Sequence, residues 1–390
     1  MNCDTLVAQF RSICLSSRKI SFVNQQLMKV LLQWTIVIPI LAWLVFFIAP
    51  VDDNAIFQIV AGILLIFSVM SAVHHSEVVA QRVGEPYGTI ILAVAVTIIE
   101  VSIIVSLMVS GGKEAESLAR DTVFSATMLI LNGIVGMSLL LGGIKFHEQN
   151  FSKHSTSIAL VSIVAIVVLT MIFPTFTTSI KGPYYSEAQM AFVSVSCLVI
   201  YGVFLLAQTR RHRNYFLVES VTGDESDDNT EEDPHVEIGN KLLILSLVFL
   251  LVSLGVVVLL AKTLSPTIES IVIGYNLPKT LVGIIIAAVI LLPEGIAAII
   301  AARKNMLQTS LNLALGSALA SIGLTIPCVA IVSSVFDMKV VLGLDLKAMI
   351  LMGLSVFTVM LSLASGRTNI VYGIVLLVNL AAFIFLAIFP

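Results

Sequence analysis

The stretch ILAVAVTIIEVSIIVSLM (Ile91–Met108) holds one charged residue, Glu100, and no proline or glycine. A second stretch, VGIIIAAVILLPEGIAAII (Val282–Ile300), repeats the arrangement around Glu294. Wound as helices, both are apolar on nearly every face, so neither keeps the polar side that a surface helix of a soluble domain needs. About 20 such residues cross the roughly 30 Å hydrocarbon core of a bilayer. These two stretches decide the class: helical and membrane-spanning.

The rest of the chain agrees. Of 390 residues, 58% are apolar and 12% charged, with a mean hydropathy of +1.05. A soluble domain carries about 25% charged residues. So few charges cannot clothe a water-facing exterior; the net charge of -3 says little about partners, but no basic field of the kind nucleic acid requires is present. Cys3, Cys14, Cys197 and Cys328 form no CxxC pair, so neither a disulfide nor a zinc centre is expected.

Apolar runs between polar breaks predict an all-α polytopic membrane protein of about eleven transmembrane helices, near 30–49, 55–74, 87–109, 121–143, 156–177, 187–208, 241–261, 280–302, 308–332, 347–365 and 370–389. Residues 1–29 read as a cytoplasmic tail, and 30–50 as a retained first helix too long for a signal-peptide core. Residues 55–208 and 241–390 then form two sets of five helices, joined by a linker at 209–240. Fourteen of the 21 Lys and Arg fall on one side when the N-terminus is cytoplasmic, which predicts N-inside and C-outside. The linker passes from basic Thr209–Arg213 to an acidic run, Glu219 to Glu237, and reads as a solvated segment without an EF-hand loop.

The two sets resemble each other. HSEVVAQRVGEP (His75–Pro86) and TIESIVIGYNLP (Thr267–Pro278) align without gaps, pairing Glu77 with Glu269 and Pro86 with Pro278. Glu100 and Glu294 follow at nearly equal distances. Five is odd, so the second set enters the membrane from the opposite side, and an inverted repeat is expected. Such repeats hold their substrate near the midplane, between the halves.

Glu100 lies thirteen residues past Tyr87, roughly 20 Å along a helix. Glu294 lies equally deep in its own run. A charge at that depth costs about 2.5–3.5 kcal/mol on insertion scales and is a functional candidate by default. A buried carboxyl favours its neutral form unless a cation supplies charge, so proton and cation compete for the same oxygens. Thr97, one turn before Glu100, can add a hydroxyl ligand. Ser125 and Asn132 in the third run of one set, and Ser317 and Ser321 in that of the other, can add further oxygens suited to hard cations. Taken singly, each hydroxyl is as well explained by routine helix packing. Pro293 removes an amide donor beside Glu294 and is expected to break the helix and free a carbonyl. His74, His75 and Glu77 read as interfacial residues, and Glu85 as lining a cytoplasmic entrance.

At these residues the sequence resembles the calcium/cation antiporter superfamily, most closely its bacterial ChaA-type cation/proton antiporters. The likeness runs through GEPYGTIILAVAVTIIEVSII (Gly84–Ile104), GMSLLLGGIKF (Gly136–Phe146), YGVFLLAQT (Tyr201–Thr209), LLPEG (Leu291–Gly295), GSALASIGLTIP (Gly316–Pro327) and SGRTNIVYG (Ser365–Gly373). The resemblance implies one extra helix plus two inverted five-helix repeats, an acidic cytosolic segment between them, and one essential glutamate per repeat, at Glu100 and Glu294. It puts third-helix ligands on or near Asn132, Ser317 and Ser321. One departure stands out: many members carry Gly-Asn before each acid, where this chain has Val96-Thr97 and Ile290-Leu291.

Residues and resemblance together predict exchange of a small inorganic cation (calcium, sodium or potassium) for protons across a bacterial inner membrane. No cofactor or nucleotide is expected, and the partners are the cation, protons and lipid. A gated cation channel with an acidic constriction is the alternative; a channel would build its charged ring by oligomerisation and needs no internal duplication. An intramembrane enzyme is disfavoured, because HExxH and any His or Cys cluster are missing from the spans.

Overall fold

The computed structural model describes residues 34–48, 55–83, 87–111, 116–180, 182–211, 216, 240–275, 278 and 280–389. Among them are eleven apolar helices: α1 (Trp34–Ile48), α2 (Ala55–Val83), α3 (Tyr87–Gly111), α4 (Leu118–Phe146), α5 (Lys153–Phe176), α6 (Glu187–Arg210), α7 (Asn240–Gly274), α8 (Thr280–Arg303), α9 (Leu307–Val335), α10 (Leu346–Ala364) and α11 (Ile370–Ile388). Nine of these are long and apolar enough to cross a membrane; α1 and the apolar part of α3, Val94–Ser106, are shorter. The protein is an all-α polytopic membrane protein. The acidic run, the N-terminal tail and Glu85 lie outside the described residues.

Helix ends follow local chemistry. Ser152, Ser186, Asp345 and Asn369 each accept a backbone N–H of the first turn of α5, α6, α10 and α11, which satisfies donors no helix can satisfy internally. Gly366, at φ 73°, turns the chain between α10 and α11 with the Lys153 stem packed over it. A side chain there would meet both strain and a clash.

Cross-contacts sort the connections onto two ends. At one, Phe151 N–H donates to Gly366 O, Thr368 N–H donates to Gln149 O, and Gln149 Nε2 donates to Ala302 O and Asn305 Oδ1. At the other, Val341 N–H donates to Glu116 O, Leu342 N–H donates to Pro183 O, and Arg120 donates to Gly343 O. The helices therefore alternate direction. Helices α2 and α7 open the two sets and run antiparallel, fixed by Ser71 Oγ to Ser253 Oγ at 3.2 Å and by Arg82 to Asn240 at 3.4 Å. One helix plus two oppositely inserted sets of five is the architecture expected from the sequence.

Two apolar cores organise the bundle. The larger joins α4, α5, α6, α9, α10 and α11. The smaller joins α1, α2 and α7. Helices α3 and α8 contribute to both: Ile99 and Ile103 of α3 and Val282, Ile286 and Ile290 of α8 belong to the small core, while Ile104, Met108, Ile284, Ala287 and Ala298 belong to the large one. The third helix of each set, α4 and α9, is the most enclosed of the long apolar helices. In the large core, backbones come close: a Cβ on Gly373 would lie 2.6 Å from Leu140 N and 2.8 Å from Gly136 O.

Two expectations need correcting. The runs predicted to end near 74 and 261 continue as helix to Val83 and Gly274, because helical backbone hydrogen bonds do not depend on apolar side chains. Pro293 does not break α8, which continues from Thr280 to Arg303. A proline removes one hydrogen bond and crowds the preceding turn, and packing on both sides holds the helix through it. What remains of that expectation is the Val289 carbonyl, which has lost its usual donor.

Candidate cation and proton site

Glu100 and Glu294 sit mid-helix on α3 and α8, the two helices that straddle the cores. Both are buried, at 3% and 9% exposure. Neither faces lipid. Glu100 shares a face with Ile104 of the large core, and Ser321 Oγ of α9 donates to its Oε1 at 2.6 Å. The bond joins the acid of one set to the third helix of the other.

Glu294 differs. Four residues before it, Ile290 belongs to the small core; four after, Ala298 belongs to the large one. Its Oε2 is buried without a hydrogen-bond partner, and it lies in electrostatic reach of Glu100 and of Glu77 on α2. A buried carboxylate oxygen with nothing bonded to it carries a full desolvation cost, and is where a proton or cation can be held. Ile134 of α4 packs beside Gly295, 3.5 Å from where a Cβ would sit.

The other candidates divide. Thr97 is buried one turn before Glu100. Ser317 is half-buried one turn before Ser321, and Thr325, one turn after it, is fully buried with its hydroxyl unpartnered. This α9 stripe therefore lines the Glu100 side. Ser125 donates to Asp121 O of its own helix at 2.6 Å. Asn132 gives its Nδ2 to Met128 O and, at 2.9 Å, to Ser355 Oγ of α10, while its Oδ1 is buried without a hydrogen-bond partner. It sits in a π-type turn, Leu129–Ile134, a distortion that recurs at functional sites. Among the described residues no three or more His, Cys, Asp or Glu side chains gather as a metal-holding group.

Sequence reasoning underweighted Glu77. Its alignment with Glu269 was the available signal, and the structure carries it into the field of Glu294. The side chain of His75 has 0% exposure and rests against Phe249 of α7. Nothing in a linear sequence announces that an adjacent helix will cover it.

Two buried glutamates thus come one from each set, and one is bonded across the boundary between the sets. The sequence profile of the sodium/calcium exchanger protein family matches residues 54–210 and 245–389. The chain belongs to that family. Within it, this exchanger-family protein is 32% identical over 357 residues to the sodium-potassium/proton antiporter ChaA of Escherichia coli, covering 90% of this chain and 94% of that one. It is 41% identical over 340 residues to the y4hA protein of Sinorhizobium fredii, covering 87% and 90%. The structure of YfkE, a Ca2+/H+ antiporter protein, superposes with a TM-score of 0.66 at 17% identity, covering 92% of this chain and 100% of that one. The exchanger-family protein is thus a ChaA-type member of the calcium/cation antiporter superfamily, an integral membrane protein of a transporter family.

Proposed function

We propose that this protein exchanges a small inorganic cation for protons by alternating access, with Glu100 and Glu294 as the shared binding groups. Sodium, potassium and calcium are the candidate cargoes, as in the relatives named for them. The observation that carries the reading is the unpartnered Oε2 of Glu294 beside a Glu100 held by Ser321. Two buried carboxylates cannot remain charged and unpaired in a low-dielectric interior. A proton on the pair, or one cation between them, relieves that cost. The two states exclude each other, and exclusion is what couples the fluxes. The empty, doubly charged site is too costly to carry across, so a leak is suppressed.

Ser317, Ser321 and Thr97 add hydroxyl oxygens, and the freed Val289 carbonyl adds a backbone oxygen one turn before Pro293. Such a set suits a hard cation. Glu77 contributes through its field, from the helix next to the site. Access alternates as the α1–α2–α7 body shifts against the larger body, with α3 and α8 at the hinge. The cytoplasmic N-terminus expected from the positive residues puts the end of α2 on the cytoplasmic side. Residues 55–208 and 241–390 are the two repeat units, 209–240 the cytoplasmic linker, and no cofactor is needed because the proton gradient supplies the drive.

The test is exchange in proteoliposomes with a pH-sensitive dye inside, adding sodium, potassium and calcium separately. Cation-driven alkalinisation or acidification that collapses in Glu294→Gln is expected. Cation flux indifferent to an imposed pH gradient would refute coupling and favour a channel.

A further inference from the structure

At the end of the bundle where Arg120 meets Gly343, a cleft of about 150 Å³ lies between the starts of α4, α8 and α10 and the end of α11. The proposed exchange site leaves it unused: Glu294 is fourteen residues, roughly 20 Å, along α8 from Thr280 on the cleft wall. The buried part of the lining is apolar, with Phe124 of α4 edge-on to Phe383 of α11 at 5.4 Å between centroids, and Leu351 of α10. Four charged side chains also line it, Arg120, Asp121, Asp345 and Lys347, two of each sign. One pair is satisfied internally. Arg120 Nε and Nη2 both reach Asp121 Oδ1 at 2.8 Å, Ser117 Oγ donates to Asp121 Oδ2, and Arg120 Nη1 donates to Gly343 O. The other pair is not. Asp345 accepts the Ala348 N–H on Oδ1 alone, and Lys347 Nζ makes one long contact, 3.4 Å, to Leu386 O. Among the described residues neither has an ion-pair partner.

We propose that this cleft binds the headgroup of a zwitterionic aminophospholipid, its ammonium on Asp345 and its phosphodiester on Lys347. The setting points to lipid. The cleft lies at helix ends, the level of lipid headgroups, and its α10 and α11 walls adjoin the exposed apolar residues Leu346, Ile350, Phe385 and Phe389. Acyl chains can run along that surface while the headgroup turns inward. Pockets between transmembrane helices that carry cations are a recurrent way of holding lipid phosphate. The acids then choose among headgroups. A purely anionic one would find Lys347 but would set its charge beside Asp345 with no cation to cover it. A primary ammonium brings three N–H donors to a carboxylate with an open oxygen, and a trimethylammonium brings none. Asp345 also feels the Asp121 carboxylate, and a cation held at Asp345 relieves that repulsion. The size agrees: about 150 Å³ is roughly five water molecules' share of liquid, room for a phosphate and an ammonium.

Lipid binding here does not rest on the exchange reading and would hold equally for a channel of the same fold. The test is native mass spectrometry of the full-length protein equilibrated with equimolar phosphatidylethanolamine, phosphatidylcholine and phosphatidylglycerol of matched acyl chains. We expect one phosphatidylethanolamine to be retained about threefold or more above either other lipid. Asp345→Asn keeps a capping side chain on α10 but removes the charge, and should bring phosphatidylethanolamine down to the phosphatidylcholine level. Asp345→Ser, which also caps, replaces it should that variant not fold. Lys347→Gln, at an exposed position, should lower retention of phosphatidylethanolamine and phosphatidylcholine alike, since both carry phosphate. The Glu100→Gln/Glu294→Gln double variant should retain phosphatidylethanolamine as the unmodified protein does. Equal retention of the three lipids, or a preference for phosphatidylglycerol, overturns the proposal. So does a phosphatidylethanolamine preference that survives Asp345→Asn or Lys347→Gln, or one lost only with the two glutamates, which would move the ammonium to the exchange site.

Discussion

The two packed bodies of this protein are held together differently. In the larger, helices approach backbone to backbone: Gly136 and Gly373 let α4 and α11 touch so closely that no Cβ fits between them. In the smaller, α2 and α7 meet through side chains, and Gly62 and Gly274 have nothing within 4 Å of where a Cβ would sit. The smaller carries serines and a histidine along its seam. One reads as a frame and the other as a part that moves against it, with the two glutamate helices between.

The sharpest way to break that comparison is at the junction. Glu100→Gln and Glu294→Gln should each reduce cation-dependent proton flux to the liposome background, while size-exclusion profiles and thermal midpoints stay near those of the unmodified protein. A variant that loses flux because it no longer folds would mean the acids hold the bodies together structurally. Next in size, Gly373→Ala should lower stability by about 1–3 kcal/mol through overpacking, whereas Gly62→Ala should leave the melting temperature unchanged or raise it slightly. Equal effects in a thermal-shift assay would erase the contrast between the bodies.

Ser321→Ala removes one hydrogen bond to a charged group, which is worth about 1.5–3 kcal/mol. The apparent cation affinity should fall by roughly 10-fold or more, with Ser125→Ala, whose hydroxyl bonds its own helix, as the silent control. The smallest effect concerns Tyr185, in the connection between α5 and α6. Burial, and then the neighbouring Cys197, push its phenol up to about 12, and its hydroxyl donates to Leu169 O. The unfolded chain ionises near pH 10, so the neutral folded form is undisturbed below that pH, and stability is lost as pH rises from about 10 toward 12. Tyr185→Phe should flatten that alkaline limb in melts followed by circular dichroism.

Much of this was legible in the sequence, for physical reasons. Lipid tolerates only helices with satisfied backbones, so apolar length alone located eleven helices, and odd-numbered sets gave the inversion. Depth within the runs singled out Glu100 and Glu294. The spacing of Ser317, Ser321 and Thr325 marked a face, and Ser321 is where that face meets Glu100. What stayed hidden depends on which helix lies next to which. Asn132 donates to Ser355, 223 positions away; His75 is covered by Phe249; and Pro293 is spanned by a continuous helix. Those outcomes are set by packing partners distant in the chain, which periodicity cannot report.

The clasp formed by residues 147–152 has a bearing on how the chain is made. Gln149 and Phe151 find their partners at Ala302, Asn305 and Gly366, all synthesised long after them. Until the chain has been made as far as Gly366, the connection between α4 and α5 lacks these partners, so that end of the bundle closes late.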